Sequence, residues 1–249
     1  MVIAIANHKG GTGKTTTALN LGAALVVNKK RVLLIDLDPQ GNLSYSLGLD
    51  EDCLDISYIL SEEKEFSDVI QTIEGIDVLP STMRLSDVEL SMFDVEDREF
   101  LLKNIISKVK SNYDFILIDC SPARSLLTVN ALTAADFVLS TILLDVLSIQ
   151  GLMHIVRTIQ EIKSVLNPTL EFLGVLAVNV DLRKKLSKEV IDFIKQNYEF
   201  SFFETSIRVN VKVAEAPSHG QSVIAYAPKS NGAKEYLLLA EEIIDFKNK

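Results

Sequence analysis

A chain of 249 residues is long enough to bury a substantial core, and with no Pro/Gly/Ser-rich linker, internal repeat or low-complexity tract it reads as one domain spanning 1–249. The net charge of −9 excludes whole-surface attraction to nucleic acid or anionic lipid, so any DNA contact has to come from a local patch. No apolar run approaches the length of a bilayer span, and Cys53 and Cys120 lie too far apart in sequence to form a metal-ligand spacing, which predicts reduced thiols in a cytoplasmic protein.

The run Val2-Ile3-Ala4-Ile5-Ala6 predicts a buried first strand and not a signal peptide, because it has no basic lead and meets a glycine loop almost at once. That loop is Lys9-Gly10-Gly11-Thr12-Gly13-Lys14-Thr15-Thr16, followed by helical apolar spacing from Thr17 to Leu25. Strand, glycine loop and helix form the context of a phosphate-binding loop. The glycines let backbone N–H groups turn inward, and the dipole of the following helix adds partial positive charge there. Lys14 can reach the β- and γ-phosphates of ATP, and the Thr15 hydroxyl can ligate Mg²⁺. Lys9 is a second loop lysine that phosphate binding alone does not need.

Strand and helix signals then alternate, which predicts a mostly parallel twisted sheet with helices on both faces. Val32 to Ile35 reads as a strand buried on both sides, ending in Asp36-Leu37-Asp38-Pro39-Gln40-Gly41-Asn42. Carboxylates at the carboxyl end of such a strand are placed for phosphate and metal chemistry. From Leu43 to Arg98 the chain is acidic and weakly patterned. Short helices are predicted at 54–60, 69–73 and 85–93 and a strand at 76–80, with the charge runs at 62–65 and 96–99 as solvated faces. An amphipathic helix from Phe100 leads to Tyr113–Asp119, whose terminal carboxylate can hold a Mg²⁺ water or accept a hydrogen bond from Thr15. Phe137–Ile142 reads as a strand and Ser148–Leu166 as a long helix. Phe172–Asn179 is a further strand ending in an amide that can either serve a turn or pair with an adenine edge. Arg183, Lys184, Lys185 and Lys188 form the densest basic cluster, read either as a non-specific phosphodiester contact or as a solvated helix start. The three histidines have no partners that suggest catalysis. The helix predicted from Ala233 to Phe246 interleaves its apolar residues with acidic ones, which favours packing on the sheet over membrane association.

Three stretches carry a family resemblance. The loop from Lys9 to Thr16 resembles the deviant Walker A motif of the ParA/MinD ATPase superfamily. Asp36 to Asn42 resembles the first switch of ParA-type proteins, and Glu215-Ala216-Pro217-Ser218-His219-Gly220 resembles a signature of Soj-type chromosomal ParA proteins. The resemblance runs from Met1 to the last helix. It implies a P-loop ATPase in which Lys9 reaches across an ATP-bound sandwich homodimer, Asp38 positions the attacking water, and Asp36 and Asp119 join Thr15 around Mg²⁺. It also implies ATP as the nucleotide, held by residues 10–16 with Asn179 at the base, and slow hydrolysis to ADP and phosphate until a ParB-type centromere-binding partner acts. Non-specific double-stranded DNA is the implied cargo track, with Arg208 and Lys212 joining the basic cluster, and the implied location is nucleoid-associated cytoplasm. The alternative within the superfamily is a MinD-like or cargo-positioning ATPase acting on a membrane or a protein cluster. No helix-turn-helix extension of the larger plasmid proteins is expected. The chain departs from the pattern at Ser121, at Thr141, Val146 and Leu147, and at Val209, where relatives carry a proline, a proline, two tyrosines and a DNA-binding arginine.

Overall fold

A computed structural model describes residues 1–181, 183–198 and 201–248. In chain order the elements are β1 Val2–Ile5, α1 Lys14–Val27, β2 Val32–Leu37, α2 Asn42–Ser46, α3 Ile56–Leu60, α4 Phe66–Val69, β3 Gln71–Ile73, β4 Ile76–Leu79, α5 Arg84–Ser91, α6 Leu101–Val109, β5 Phe115–Cys120, α7 Leu126–Ala134, β6 Phe137–Ile142, α8 Val146–Val165, β7 Glu171–Ala177, α9 Lys185–Asn197, α10 Val211–Glu215, α11 Val223–Tyr226 and α12 Asn231–Lys247.

The strands form one seven-stranded sheet in the order β3-β4-β2-β5-β1-β6-β7, with every pairing parallel except β3 with β4. This is the mostly parallel sheet expected from the alternating pattern. Apolar residues run continuously through the central strands because both faces are covered. Val2 and Ala4 of β1 join a core under α3, α5, α6, α7 and α8, whereas Ile3 and Ile5 join the opposite core under α1 and α12. The last helix packs as expected: Tyr236, Leu239, Ala240 and Ile243 are buried in the second core. Among the described residues no helix is long and apolar enough to cross a membrane.

One expectation is corrected. The segment 69–73 is not a helix: α4 ends at Val69, and residues 71–73 form a short edge strand antiparallel to β4. Glu74 and Gly75 both take positive φ, 52° and 77°, so the chain reverses there in a two-residue hairpin.

The topology gathers the sheet's carboxyl-terminal edge around β1. Asp36 of β2 and Asp119 of β5 are register partners, and Asp119 is in turn level with Ile5 of β1. Two carboxylates therefore emerge on neighbouring strands beside the loop that joins β1 to α1.

Candidate active site

The β1–α1 loop, the β2–α2 loop and the segment after β5 close around a cleft of about 680 Å³. Residues 10–16 line it together with Asp38, Pro39, Gln40, Ser121 and Pro122. Lys14 is 6% exposed, and its ammonium donates to the Lys9 carbonyl at 3.3 Å. Burial lowers its pKa, while the neighbouring Asp119 carboxyl acts in the opposite direction.

Beneath the cleft lie the two strand-end carboxylates. Both Asp119 oxygens are buried without a hydrogen-bond partner among the described residues. Burial first, and Asp36 second, push the Asp119 carboxyl well above the usual carboxylate range; the Thr15 hydroxyl is close enough to oppose this, though short of hydrogen-bond geometry. A buried carboxylate with unused oxygens has room for a cation or its waters. Asp36 is differently engaged. It accepts hydrogen bonds from Ser44 N at 2.9 Å, Ser44 Oγ at 2.8 Å and Asp38 N at 3.2 Å. Burial nevertheless pushes its pKa up to about 7, against those three bonds. Thr15, Asp119 and Asp36 thus fit a divalent ion such as Mg²⁺, which keeps waters and phosphate oxygens as ligands and needs no all-protein cage.

Asp38 is held from the backbone side. Its carbonyl accepts from Gly41 N and Ser81 Oγ, each at 2.8 Å, and its carboxylate accepts from Gln40 N at 3.0 Å. Asp38 therefore faces the cleft from a fixed turn.

Lys9 does not share Lys14's environment. Its ammonium bonds both oxygens of Asp145 at 3.0 Å and Ser148 Oγ at 2.9 Å, at the start of α8. Burial opposes ionisation of Asp145, but its bonds from Lys9 and Ser148 outweigh that and hold its carboxyl below the usual range. Helix α8 can come this close because residue 151 is glycine: a Cβ there would stand 2.8 Å from Asn7 Oδ1 and 3.1 Å from the Lys9 Cβ. Beside this pair, Val146 and Leu147 are each 65% exposed. Thr141, where relatives carry a proline, is buried against the loop, its carbonyl accepting from Asn7 Nδ2 at 2.7 Å and its hydroxyl donating to Thr12 Oγ1 at 3.3 Å.

On the other side of the loop is a smaller cleft of about 220 Å³, lined by Gly11, Gly13 and Thr16 and by Val178, Asn179, Ile207, Arg208, Asn210 and Val213 among others. Asn179 is exposed at the end of β7 with φ 54°, so its amide stands at this cleft's mouth.

The predicted basic residues lie on two stretches that one bridge sets side by side. Val180 and Arg208 form a parallel bridge, which sets the stretch after β7 beside the segment entering α10. Arg183 is paired with Asp181 at 2.8 Å, Lys212 with Glu215 at 2.8 Å and Arg208 with Glu235. Lys184, Lys185 and Lys188 are exposed and make no ion pair among the described residues. His8 bonds the Thr158 hydroxyl at 3.0 Å, and His154 is exposed.

A family model described as an AAA domain matches residues 1–172. The sporulation initiation inhibitor protein Soj of Bacillus subtilis (strain 168) is 42% identical over 248 residues, covering 97% of either chain. The chain belongs to the ParA/Soj family of partitioning ATPases. Another ParA/Soj member, the chromosome-partitioning ATPase Soj of Treponema pallidum (strain Nichols), is 39% identical over 240 residues, covering 96% of this chain and 94% of that protein. Among solved structures, cobyrinic acid a,c-diamide synthase from Mycobacterium smegmatis with bound ADP and magnesium superposes with a TM-score of 0.89 at 33% identity, covering all of this chain and 95% of that one.

Sequence reasoning missed Asp145 and Ser148 as partners of Lys9, Ser44 and Ser81 as braces of the Asp36–Asp38 turn, and Arg208 as a lining residue of the smaller cleft. The helix-start pattern of Asp145, three residues before Ser148, was a visible sign of a cap. Nothing in it pointed to Lys9.

Proposed function

We propose that this ParA/Soj chain is a DNA-segregation ATPase whose ATP-bound form is a sandwich homodimer that binds double-stranded DNA without sequence preference and lets go after hydrolysis. The reading rests most on the division of labour between two loop lysines. Lys14 lies buried among carboxylates at the cleft floor, while Lys9 reaches outward to the start of α8, beside the exposed Val146 and Leu147. A lysine on that rim is placed to meet a nucleotide held by a second copy, which makes nucleotide binding and dimerisation one event.

In this account the amides of residues 10–16, Lys14 and the Thr15 and Thr16 hydroxyls hold the phosphates, and Asn179 meets the base. Magnesium bound with ATP neutralises charge on the phosphate oxygens, and Thr15, Asp119 and Asp36 are the residues that hold it or its waters. Asp38 orients the attacking water. Hydrolysis is phosphoryl transfer to water, where positioning and charge stabilisation set the rate. Lys184, Lys185 and Lys188 supply the unpaired positive charge for DNA phosphates, with Arg183 and Lys212 available on exchange of their surface partners. A ParB-type centromere-binding protein stimulates turnover, and the resulting dimer dissociation releases the DNA.

The test is steady-state phosphate release by the chain alone, with DNA, and with DNA plus a ParB-type protein from the same organism. Slow basal turnover, stimulated at least several-fold only when both are present and abolished by Asp38→Asn, is the expected result. Fast turnover of the lone chain, or stimulation by anionic vesicles in place of DNA, would overturn the reading.

A further inference from the structure

The smaller cleft adjoins the phosphate loop through Gly11, Gly13 and Thr16 and is walled by Leu143, Val178, Ile207 and Val213. A slot with apolar walls and polar groups at its mouth, opening onto phosphate-binding amides, is the shape of a nucleobase site. Its polar side chains include Asn179 and Arg208, and Arg208 is anchored in an unusual way. Glu235 of α12, 6% exposed, accepts the Arg208 backbone N–H at 2.9 Å and is ion-paired with the Arg208 Nε. A carboxylate buried to this degree is costly unless it is paired, so the pair holds the guanidinium in one place.

The backbone fixes it further. Val180 N donates to the Ile207 carbonyl at 3.0 Å and Val209 N to the Val180 carbonyl at 3.1 Å, which locks Arg208 one strand position from Asn179. Arg208 lines the cleft and its side chain is 45% exposed, so the pair with Glu235 does not seal the guanidinium from a ligand. A DNA phosphate would have to compete with Glu235 for this cation, whereas a base in the cleft need only meet the planar face or the free N–H groups that the pair already orients.

We propose that Arg208, braced by Glu235, contacts the nucleobase and sets a preference for purine nucleotides, and is not a DNA-phosphate ligand. This deepens the nucleotide-site reading and rests on it. The larger ring system of a purine offers the guanidinium more stacking surface and an acceptor-bearing edge. Lysine cannot substitute, because it is a point charge with no planar face.

The test measures the affinity of the Mg²⁺-loaded protein for ATP, CTP and inorganic triphosphate, without DNA, in wild type, Arg208→Ala, Arg208→Lys and Glu235→Gln, with melting curves to confirm folding. Arg208→Ala and Arg208→Lys are expected to weaken ATP binding about three- to tenfold. Inorganic triphosphate should bind as before, so that the ATP-to-CTP preference shrinks, and Glu235→Gln should lie between wild type and these two. Equal losses for ATP and inorganic triphosphate, or an unchanged ATP affinity with loss only of DNA retention, would overturn the assignment. Failure of the wild-type protein to bind even inorganic triphosphate would instead sink the phosphate-loop reading beneath it.

Discussion

In the proposed ATP-bound dimer Lys9 joins chemistry to assembly, and its contacts within the chain set a condition on that dimer. To reach a partner's nucleotide its ammonium must leave Asp145 and Ser148. The pair lies at a partly exposed rim, with the two side chains 27% and 41% exposed, so it contributes at most about 1 kcal/mol to stability. Its larger effect is on which partner Lys9 chooses. Asp145→Asn keeps the cap on α8, since asparagine accepts from Ser148 N as aspartate does at 2.8 Å, while removing the charge that holds Lys9. We expect this variant to dimerise at several-fold lower ATP concentration, measured by sedimentation velocity, with an unchanged melting temperature. An unchanged dimerisation midpoint would show that Asp145 does not compete for Lys9. The loop lysines were legible in the sequence because their spacing in the glycine loop is itself the signal. Asp145 was not, because it lies 136 residues away from Lys9 and looks like any helix cap until the fold brings α8 against the loop.

At the scale of elements, the β2–α2 turn and the two strand-end carboxylates set the geometry beneath the proposed switch. Gly41 has φ 61°, and a Cβ there would stand 2.7 Å from the Ser81 carbonyl oxygen. Gly41→Ala should therefore cost at least about 1–2 kcal/mol for the left-handed backbone alone, with the clash added. Urea unfolding would read that cost, and ATP turnover should fall more than ADP affinity because the same turn aims Asp38. The carboxylates predict a pH response. The folded chain raises the pKa of both Asp36 and Asp119, so it retains protons that unfolded aspartates release above about pH 4. Stability of the metal-free protein must then fall as pH rises through that window toward the Asp36 value of about 7. Melting at pH 8 should be lower than at pH 6, and Asp119→Asn, which removes one of the two charges, should narrow the gap. A melting temperature that rises with pH in the metal-free protein would contradict this. The long buried strands were readable as continuous apolar runs. The edge strand β3 was not: three residues in a polar stretch carry no period, and the hairpin depends on Glu74, a non-glycine residue, accepting positive φ.

Over the whole molecule, an acidic chain of net charge −9 leaves the proposed DNA contact to a local basic patch. The Val180–Arg208 bridge sets two stretches about thirty residues apart side by side, and of the predicted basic residues Lys184, Lys185 and Lys188 make no ion pair among the described residues. Replacing all three with alanine should weaken DNA binding and flatten its salt dependence by about 2–3 in log–log slope, with nucleotide affinity unchanged. An unchanged slope would move the DNA surface elsewhere. The basic cluster was legible as a run of charges. Its pairing pattern was legible only in part: Lys212 and Glu215 pair locally, three residues apart within α10, whereas Arg208 meets Glu235 only because α12 packs beside the segment before α10. The family likewise follows from the loop, the first switch and the signature at 215–220, whereas the coupling of nucleotide to DNA has to be measured. The most direct measurement is co-sedimentation with long random-sequence DNA, comparing ATP, ADP and no nucleotide, with Lys9→Ala as control. The account predicts retention with ATP only, lost in the control. Retention in all nucleotide states, or in none at low salt, would contradict it.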